Sequence, residues 1–306
     1  MKLVIAGGTG FIGRALVARL TACGETCTLL TRRELPDRHP LHYVQWDAQH
    51  GGTWHTPLDG ADAVINLVGE SVAMHRWTAA QKLKMLRSRI DATTALVEAF
   101  GETRRHPSVL INASAIGYYG DRGDETLSET APPGRDFLAH VAVAWETAAT
   151  RVVTHGARLV LLRTGLVLGH SGGALARMVP VFRRGLGGRI GSGHQWMSWI
   201  HLDDVVGLIL FLLQHPAASG PFNLVSPTPC RNREFATILG KQLHRSTRVP
   251  VPAWLLRMAM GERASLLLQS QRVLPTRVQQ LGYRFRYSTC EAALQAALAP
   301  NADLSQ

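Results

Sequence analysis

Residues 2–13 read Lys-Leu-Val-Ile-Ala-Gly-Gly-Thr-Gly-Phe-Ile-Gly, and this stretch decides the fold. The run Lys2–Ala6 favours a strand, and the residues from Phe11 to Leu20 place apolar side chains at helical spacing. Three glycines lie in the turn between them: Gly7, Gly10 and Gly13. Glycines at this spacing permit a tight turn, a close backbone approach to phosphates and close packing of helix on strand. The stretch therefore predicts a phosphate-binding loop that opens a nucleotide-binding domain.

Strand-like runs recur through the first half of the chain, at 25–30, 43–46, 63–67, 109–113 and 159–163, with helical patterns at 78–100 and 137–155. Alternating strands and helices predict an α/β fold, a Rossmann-type doubly wound parallel sheet. After Arg163 the pattern changes to glycine-rich loops, a helix at 205–213, a strand at 221–225 and further helices. We expect a Rossmann domain over 1–165, with 200–225 returning to it. A smaller mixed α/β domain on the substrate side would occupy 166–306.

The composition limits the classes of function. The 306-residue chain is 46% hydrophobic and 18% charged, and no run reaches the ~20 apolar residues of a membrane span. The formal net charge is +11; the positive residues are scattered along the chain, with some arginines in pairs, and no nucleic-acid motif accompanies them. The four cysteines show no metal-ligand spacing. We expect a cytoplasmic protein, monomeric or homodimeric, that acts on a small molecule. Metal, nucleic acid and membrane are not expected as partners.

The end of the second predicted strand carries two adjacent arginines. An acidic side chain there would bind the ribose hydroxyls of NAD, whereas arginine accommodates the 2′-phosphate of NADP. The sequence reads Thr31-Arg32-Arg33, and no carboxylate precedes Glu34. Because two guanidinium groups can fork onto one phosphate, the chain is predicted to bind NADP in preference to NAD. The alternative is that both arginines are solvated surface side chains.

A short loop, Asn66-Leu67-Val68-Gly69, follows the fourth predicted strand. In a doubly wound sheet, the loops at the carboxyl ends of strands line the ligand crevice. Leu67 and Val68 are therefore expected beside the nucleotide.

Further segments resemble an atypical branch of the extended short-chain dehydrogenase/reductase superfamily, the epimerase family of SDR39U-like proteins. The resemblance runs from Met1 to about Leu298 and rests on motifs such as Arg76-Trp77-Thr78, Ser114-Ala-Ile-Gly-Tyr-Tyr-Gly120, Arg163-Thr-Gly-Leu-Val-Leu-Gly169 and Gly191-Ser-Gly-His-Gln195. It implies that the cofactor-contacting positions are Gly7, Thr9, Gly10, Phe11, Ile12, Gly13, Thr31, Arg32, Leu67, Val68, Arg89, Leu166 and Val167.

The superfamily's usual acid–base pair is absent from this sequence. That pair is a tyrosine with a lysine four residues later on one helix, where the lysine charge helps the phenol to exchange a proton. Aligning on Glu146 places Leu138 and Ala142 at the two positions, and no tyrosine in the chain is followed by lysine at this spacing.

Three residues are the candidates to replace the missing pair. Ser114 ends the fifth predicted strand, Tyr118 lies just beyond it, and Glu70 follows the fourth strand. A hydroxyl, a phenol and a carboxylate around a nicotinamide could move a proton. The alternatives are that Ser114 bonds only to backbone, that Tyr118 and Tyr119 are packing residues, and that Glu70 pairs structurally with Arg76 or Arg89.

Two segments of the second half carry polar and aromatic residues near glycines or a helix start. His201 and Asp203 precede an apolar helix; a helix cap and a domain-anchoring contact are favoured over a metal site, because no third ligand is evident. Residues 191–195, with Trp196 and Trp199, are expected to line the substrate side or to belong to the core.

Two functions are consistent with these patterns. The first is an NADP-dependent oxidoreductase or epimerase that acts on a secondary alcohol or carbonyl, such as that of a nucleotide-linked sugar. The second is a non-catalytic NADP(H)-binding sensor or assembly protein, which the missing tyrosine–lysine pair favours.

Overall fold

The computed structural model describes residues 1–48, 52–170 and 172–299. Its strands are β1 (Lys2–Ala6), β2 (Thr26–Thr31), β3 (Leu41–Gln45), β4 (Ala63–Asn66), β5 (Val109–Ala115), β6 (Thr126–Leu127), β7 (Arg158–Thr164), β8 (Leu166–Leu168), β9 (Trp196–Met197), β10 (Trp199–His201), β11 (Gly220–Leu224), β12 (Cys230–Arg231) and β13 (Arg272–Val273). Its α-helices are α1 (Phe11–Ala22), α2 (Ala79–Glu102), α3 (Phe137–Thr150), α4 (Leu175–Arg183), α5 (Leu202–Gln214), α6 (Asn232–Gln242), α7 (Ala253–Met260), α8 (Ser265–Leu268), α9 (Thr276–Gln280) and α10 (Cys290–Leu298).

A parallel seven-stranded sheet forms the centre of the molecule, in the order β11-β7-β5-β4-β1-β2-β3. The strand order reverses beside β1, and Ala6 lies between Leu30 of β2 and Asn66 of β4. The carboxyl ends of these three strands therefore meet at one edge, where a doubly wound sheet binds its ligand. The predicted Rossmann-type fold is confirmed.

The two faces of the sheet are covered by different helices because side chains alternate along each strand. Leu3 and Ile5 point to a core that α1 and α5 complete, whereas Val4 and Ala6 point to a core shared with α2 and α3. Both helices of the second face start with a side-chain cap. Thr78 accepts a hydrogen bond from the Gln81 amide at 3.2 Å, and Asp136 accepts one from Ala139 at 2.9 Å.

The second half of the chain forms a separate core and also contributes to the sheet. α4, α6 and α10 surround a cluster that includes Phe182, Trp199, Phe235 and Leu294. β11 follows α5 in sequence, yet it pairs with β7 at the edge of the large sheet. The sheet thus draws on residues from both sides of the intervening 166–219 segment.

Some predicted boundaries are wrong at the ends. The helix expected at 205–213 begins at Leu202, because His201 caps it. The helix expected at 137–155 ends at Thr150 and continues as a 3₁₀ turn over Arg151–His155. The paired short strands β8 with β10, β9 with β12 and β6 with β13 were not predicted.

Within the described ranges, the helices are too short or too polar to cross a membrane, and His, Cys, Asp and Glu side chains form no cluster suited to a metal ion.

Candidate functional site

The glycine loop after β1 is closed by backbone contacts that only glycine permits. Gly7 has φ +80°, and a Cβ atom there would lie 2.8 Å from the backbone carbon of Leu67. A Cβ atom on Gly13 would lie 2.3 Å from the Gly7 carbonyl oxygen. The Gly10 amide donates to that same carbonyl at 3.0 Å. The loop therefore packs directly on the β4 loop and on the first turn of α1.

The first turn of α1 points its amides towards the carboxyl edge of the sheet. Gly10 is its N-cap in an extended conformation, and neither a side-chain cap nor an acidic side chain occupies the first turn. Unpaired amides and the helix dipole favour a bound anion at such an end. Arg14 donates to the Thr9 carbonyl at 3.0 Å and holds the loop, while Ile12 packs against the core.

The Phe11 side chain connects this loop to the segment after β8. Its ring carbons occupy the space where Cβ atoms of Gly169, Gly172 and Gly173 would lie, at 2.9, 2.6 and 2.8 Å. The Val167 carbonyl lies 3.2 Å from the Gly173 Cβ position. The predicted positions Phe11 and Val167 are thus brought together around Gly173.

Two exposed arginine side chains, Arg32 and Arg33, follow the end of β2. Thr31 is buried, and its hydroxyl oxygen accepts a hydrogen bond from the Arg33 amide at 3.3 Å. The Arg32 and Arg33 side chains are exposed and form no ion pair with any described residue. Nothing internal neutralises them, so they can meet an anionic ligand group.

A buried amide network positions the loop after β4. Asn66 donates to Asn112 Oδ1 at 2.7 Å and to Thr93 Oγ1 at 2.9 Å, and its own oxygen accepts from the Val68 amide at 3.1 Å. Sequence analysis missed this function of Asn66. The network holds Leu67 and Val68 at the sheet edge, against Gly7.

Arg89 lies behind the same loop. Its guanidinium donates to the carbonyls of Met85 at 2.9 Å and Glu70 at 3.0 Å, and it lies 5.0 Å from the centre of the Trp145 ring. Burial lowers the pKa of Arg89 to about 10. This leaves a half-buried cation against the loop after β4, where an anionic ligand would stabilise its charge.

Glu70 contacts Arg89 but not, among the described contacts, Arg76: Arg89 donates to the Glu70 backbone carbonyl at 3.0 Å, and the negative charge of Glu70 acts against the lowering of the Arg89 pKa by burial. Glu70 Oε1 accepts from Gln81 Nε2 at 3.3 Å and lies 3.7 Å from the Lys84 ammonium.

Ser114 belongs to a buried hydrogen-bonded ion pair. Its hydroxyl donates to Glu146 Oε1 at 2.6 Å, and Arg163 donates to both Glu146 oxygens at 2.8 Å. Burial opposes the Arg163 charge, but the hydrogen bonds that Arg163 donates to Glu146 and Tyr119, with the charge interactions of the same two residues, outweigh it and raise the pKa of Arg163 above its usual value. The Ser114 hydroxyl is therefore engaged with a side chain, which the backbone-only alternative did not foresee.

The adjacent tyrosines differ in environment. Tyr119 is fully buried, its hydroxyl donates to Asn223 Oδ1 at 2.6 Å, and burial raises its pKa to about 12. Tyr119 is thus a packing residue. Tyr118 is half-buried, the Arg163 guanidinium lies 3.4 Å from its ring centre, and its hydroxyl has no hydrogen bond with the described residues.

A cleft of about 610 Å³ lies between α3 and the segment 257–269. Its lining combines aromatic, apolar, acidic and basic groups: Trp77, Asp121, Asp136, Phe137, Leu138, Arg257, Glu262, Ala264, Leu268 and Gln269. Leu138 thus lines a cavity at the position of the superfamily tyrosine, and Ala142 is buried. An ion pair between Lys82 and Glu262 joins α2 to the second half beside the cleft.

The aromatic residues of this cleft are not those expected from sequence. Trp199 is fully buried and donates to the Thr228 carbonyl at 3.0 Å, so it belongs to the core. Trp196 is half-buried, with Arg231 and Arg272 over its ring. Trp77 and Phe137, in edge contact at 5.4 Å, line the cleft instead. The sequence carried a signal for Trp77, because this residue lies in one of the family motifs, directly before Thr78, which caps α2.

The His201 region anchors the two halves together. The His201 ring accepts a hydrogen bond from the Asp203 amide at 3.1 Å, so the imidazole and not a carboxylate caps α5. Asp204 is buried and accepts from the Arg286 and Tyr287 amides at 2.8 and 3.0 Å. The expected cap and anchoring contact are present, with the two functions divided between different residues.

The comparisons with known proteins identify the class first. The NAD dependent epimerase/dehydratase family model matches residues 3–225, and a domain of unknown function, DUF1731, matches residues 251–297. The chain belongs to the NAD dependent epimerase/dehydratase family, within the epimerase branch that its motifs resemble. An "Epimerase family protein" of Mycobacterium bovis is 41% identical over 95% of this chain and 96% of its own length. The chloroplastic SDR39U1 homologue of Arabidopsis thaliana is 37% identical over 97% and 87%.

Solved structures agree with this assignment. Human epimerase family protein SDR39U1 (isoform 2), determined with NADPH, is 34% identical with a TM-score of 0.89, over 97% of this chain and 99% of that one. MoeE5 in complex with UDP-glucuronic acid and NAD is 21% identical with a TM-score of 0.79, over 97% and 98%, and shows the shared fold alone.

Proposed function

We propose that this protein binds NADP(H) in the cleft at the carboxyl edge of the sheet and uses it as an oxidoreductase or epimerase. The observation that carries the proposal is the cradle formed by Gly7, Gly13 and the open first turn of α1, in which a Cβ atom would collide with backbone. The chain also shares 34% identity with a human protein determined with NADPH.

Arg32 and Arg33 support NADP(H) over NAD(H). Both are exposed and unpaired among the described residues, at the strand end where an acidic residue would bind the NAD ribose. Arg89 would face the phosphates or ribose from the other side of the glycine loop. Leu67, Val68 and Val167 would contact the nucleotide with backbone and apolar groups.

The bound nicotinamide would supply or accept a hydride at the carbon of a secondary alcohol or carbonyl. Tyr118 would hydrogen-bond the substrate oxygen, because its half-buried hydroxyl has no partner among the described residues. Ser114 would position the site through Glu146 and Arg163. Glu70, in the loop after β4, would assist the transfer of a proton. The neighbouring cleft, with Trp77 and Phe137, would hold the substrate body, such as a sugar ring.

A non-catalytic NADP(H) sensor is the second candidate. It is favoured by Leu138 and Ala142 at the acid–base positions and by the internal hydrogen bond of Ser114. In this case NADP(H) would bind without turnover.

Transfer of deuterium from stereospecifically labelled NADPH to a panel of carbonyl compounds, including nucleotide sugars, distinguishes the two. Transfer by the native protein that falls at least ~100-fold in Tyr118→Phe, within the usual range for a general acid, supports the enzyme. Tyr43→Phe, on the distant strand β3, is the matched control and keeps full transfer. Tight NADPH binding with no transfer to any compound refutes the enzyme and supports the sensor.

A further inference from the structure

One surface of the second half combines exposed apolar side chains with arginines. We call it the basic–apolar face, and it comprises Val181, Arg183, Arg184, Leu186, Arg189, Arg245, Arg248, Val249, Trp254, Leu255 and Met258. The relative exposures of Leu186, Val249, Trp254 and Met258 are 68%, 74%, 62% and 69%. These large apolar side chains are far more exposed to solvent than the side chains of the core.

Direct contacts make this face continuous although its residues come from two segments. The Arg245 guanidinium donates to the Arg183 carbonyl at 2.8 Å, and the Val251 amide donates to the Arg189 carbonyl at 2.8 Å. The Cβ position of Gly188 lies 2.1 Å from the Val249 carbonyl. Residues 181–189 and 245–251 therefore lie side by side, and the second segment leads directly into α7.

The outer side of α7 continues the apolar surface. None of its residues is buried. Trp254 and Met258 are four residues apart and share one side of the helix, with Leu255 next to them. Large residues grouped in this way, next to cations, are typical of an interaction surface.

The charge of the face has one sign. Residues 169–202 and 235–261 contain no aspartate or glutamate. The five arginines of the face, Arg183, Arg184, Arg189, Arg245 and Arg248, are exposed and form no ion pair with described residues. A partner that complements this face therefore carries negative charge at its surface and has an apolar interior that the exposed apolar side chains can enter.

We propose that the basic–apolar face docks on an anionic lipid membrane, with its apolar side chains at the level of the headgroups and its arginines on lipid phosphates. A surface helix that carries tryptophan and leucine on one side, among arginines, is the usual composition of interfacial attachment. A second copy of the chain is disfavoured because it would bring arginines together. Nucleic acid is disfavoured because Val181, Leu186 and Val249 gain nothing against a phosphate backbone. The proposal departs from the sequence-based expectation of no membrane partner, since scattered arginines become one surface only in the fold.

Co-sedimentation with vesicles tests the proposal. The full-length protein is mixed with phosphatidylcholine vesicles containing about a third phosphatidylglycerol, and with pure phosphatidylcholine vesicles. We expect binding to the anionic vesicles only, weakening with salt. Arg184→Gln together with Arg248→Gln lowers the partition coefficient about 25-fold, at roughly five-fold for each arginine, and Trp254→Ser lowers it further.

The matched control is Arg19→Gln with Arg151→Gln, which removes the same charge from exposed sites outside the face. This control binds vesicles as the native protein does, and all variants keep their NADPH affinity and thermal midpoint. Equal loss in the control, or unchanged binding in Arg184→Gln/Arg248→Gln, overturns the assignment of the face. Absence of vesicle binding, with capture by polyglutamate or by a short RNA instead, overturns the lipid assignment. NADPH titration is a separate readout, so a failed membrane test leaves the proposed cofactor site unaffected.

Discussion

The two ends of the same sheet edge differ in what their polar groups contact. At β1 and β2, the first turn of α1 has no side-chain cap and no acidic residue, and the arginines after Thr31 are exposed, although the glycine loop itself is held by backbone contacts. At β5 and β7, Ser114, Glu146, Arg163 and Tyr119 bond to one another. The first end is prepared for a ligand, whereas the second is stabilised from within. The glycine loop is thus retained in a chain that has Leu138 and Ala142 at the positions of the usual acid–base residues.

The largest expected effect tests whether the second end is structural. Arg163→Gln leaves Glu146 buried without its ion-pair partner, which costs about 3–5 kcal/mol in free energy of unfolding. Urea denaturation measures this loss. The exposed Arg151→Gln is the control and changes the free energy by less than about 0.5 kcal/mol. If both variants were equally stable, the proposed internal stabilisation of this end would be wrong.

The glycine cradle is tested by two glycines with the same backbone conformation. Gly7 and Gly24 both have φ +80°, but an added Cβ meets the Leu67 backbone only at Gly7. Both alanine variants incur about 1–2 kcal/mol of backbone strain. Gly7→Ala additionally costs about 1–3 kcal/mol of stability by overpacking against the β4 loop and weakens NADPH binding, whereas Gly24→Ala binds normally. Fluorescence titration measures both, and equal affinities would contradict a tightly fitted loop.

The arginines after β2 define a smaller effect with a nucleotide control. If Arg32 binds the 2′-phosphate as proposed, Arg32→Gln removes a charge-assisted hydrogen bond and weakens NADPH binding by about 1.5–3 kcal/mol. NADH lacks that phosphate, so its Kd stays constant. Calorimetric titration with both nucleotides shows whether the effect is selective; a parallel loss for NADH would indicate a general electrostatic effect.

The smallest effect concerns the His201 cap. Burial lowers the pKa of His201 below its ordinary value of 6.5; Arg286 acts in the same direction, and Asp203 and Asp204 oppose it. The unfolded chain then binds the extra proton first, so stability from this residue is present above pH 6.5 and is lost as the pH falls below it. His201→Asn keeps an N-cap acceptor without this titration.

Between about pH 7.5 and 5.5, we expect the native protein to lose up to about 1 kcal/mol more stability than His201→Asn. Thermal denaturation across this range compares the two proteins. Parallel pH profiles would show that His201 does not titrate in the cap.

The sequence was sufficient where the signal is local. The strand, glycine turn and helix of residues 2–22 lie within one βαβ unit, and the larger strands were placed to within a few residues. Arg32 and Arg33 were placed correctly at the end of β2, because a strand end has a fixed place in a doubly wound sheet, and their preference for NADP stays a prediction.

Sequence reasoning failed where partners are distant along the chain. β6 pairs with β13, and Trp196 meets Arg231 and Arg272, across separations without a local pattern. In a sequence, an aromatic residue near glycines can belong either to the core or to a ligand site. Only the structure distinguishes the two cases, because it buries Trp199 and places Trp77 in the lining of the cleft. The engagement of Ser114 by Glu146 likewise depends on packing between β5 and α3.

The late position of β11 affects synthesis of the protein. β7 leaves the ribosome well before Gly220–Leu224, the strand that pairs with its outer side. Until then, the nascent sheet ends in a row of unpaired amides and carbonyls, and such an edge can pair with a strand of another chain. Cutting the gene between the codons for residues 165 and 219 would make that open edge permanent, so the interleaved order of strands makes the two halves a single unit of folding.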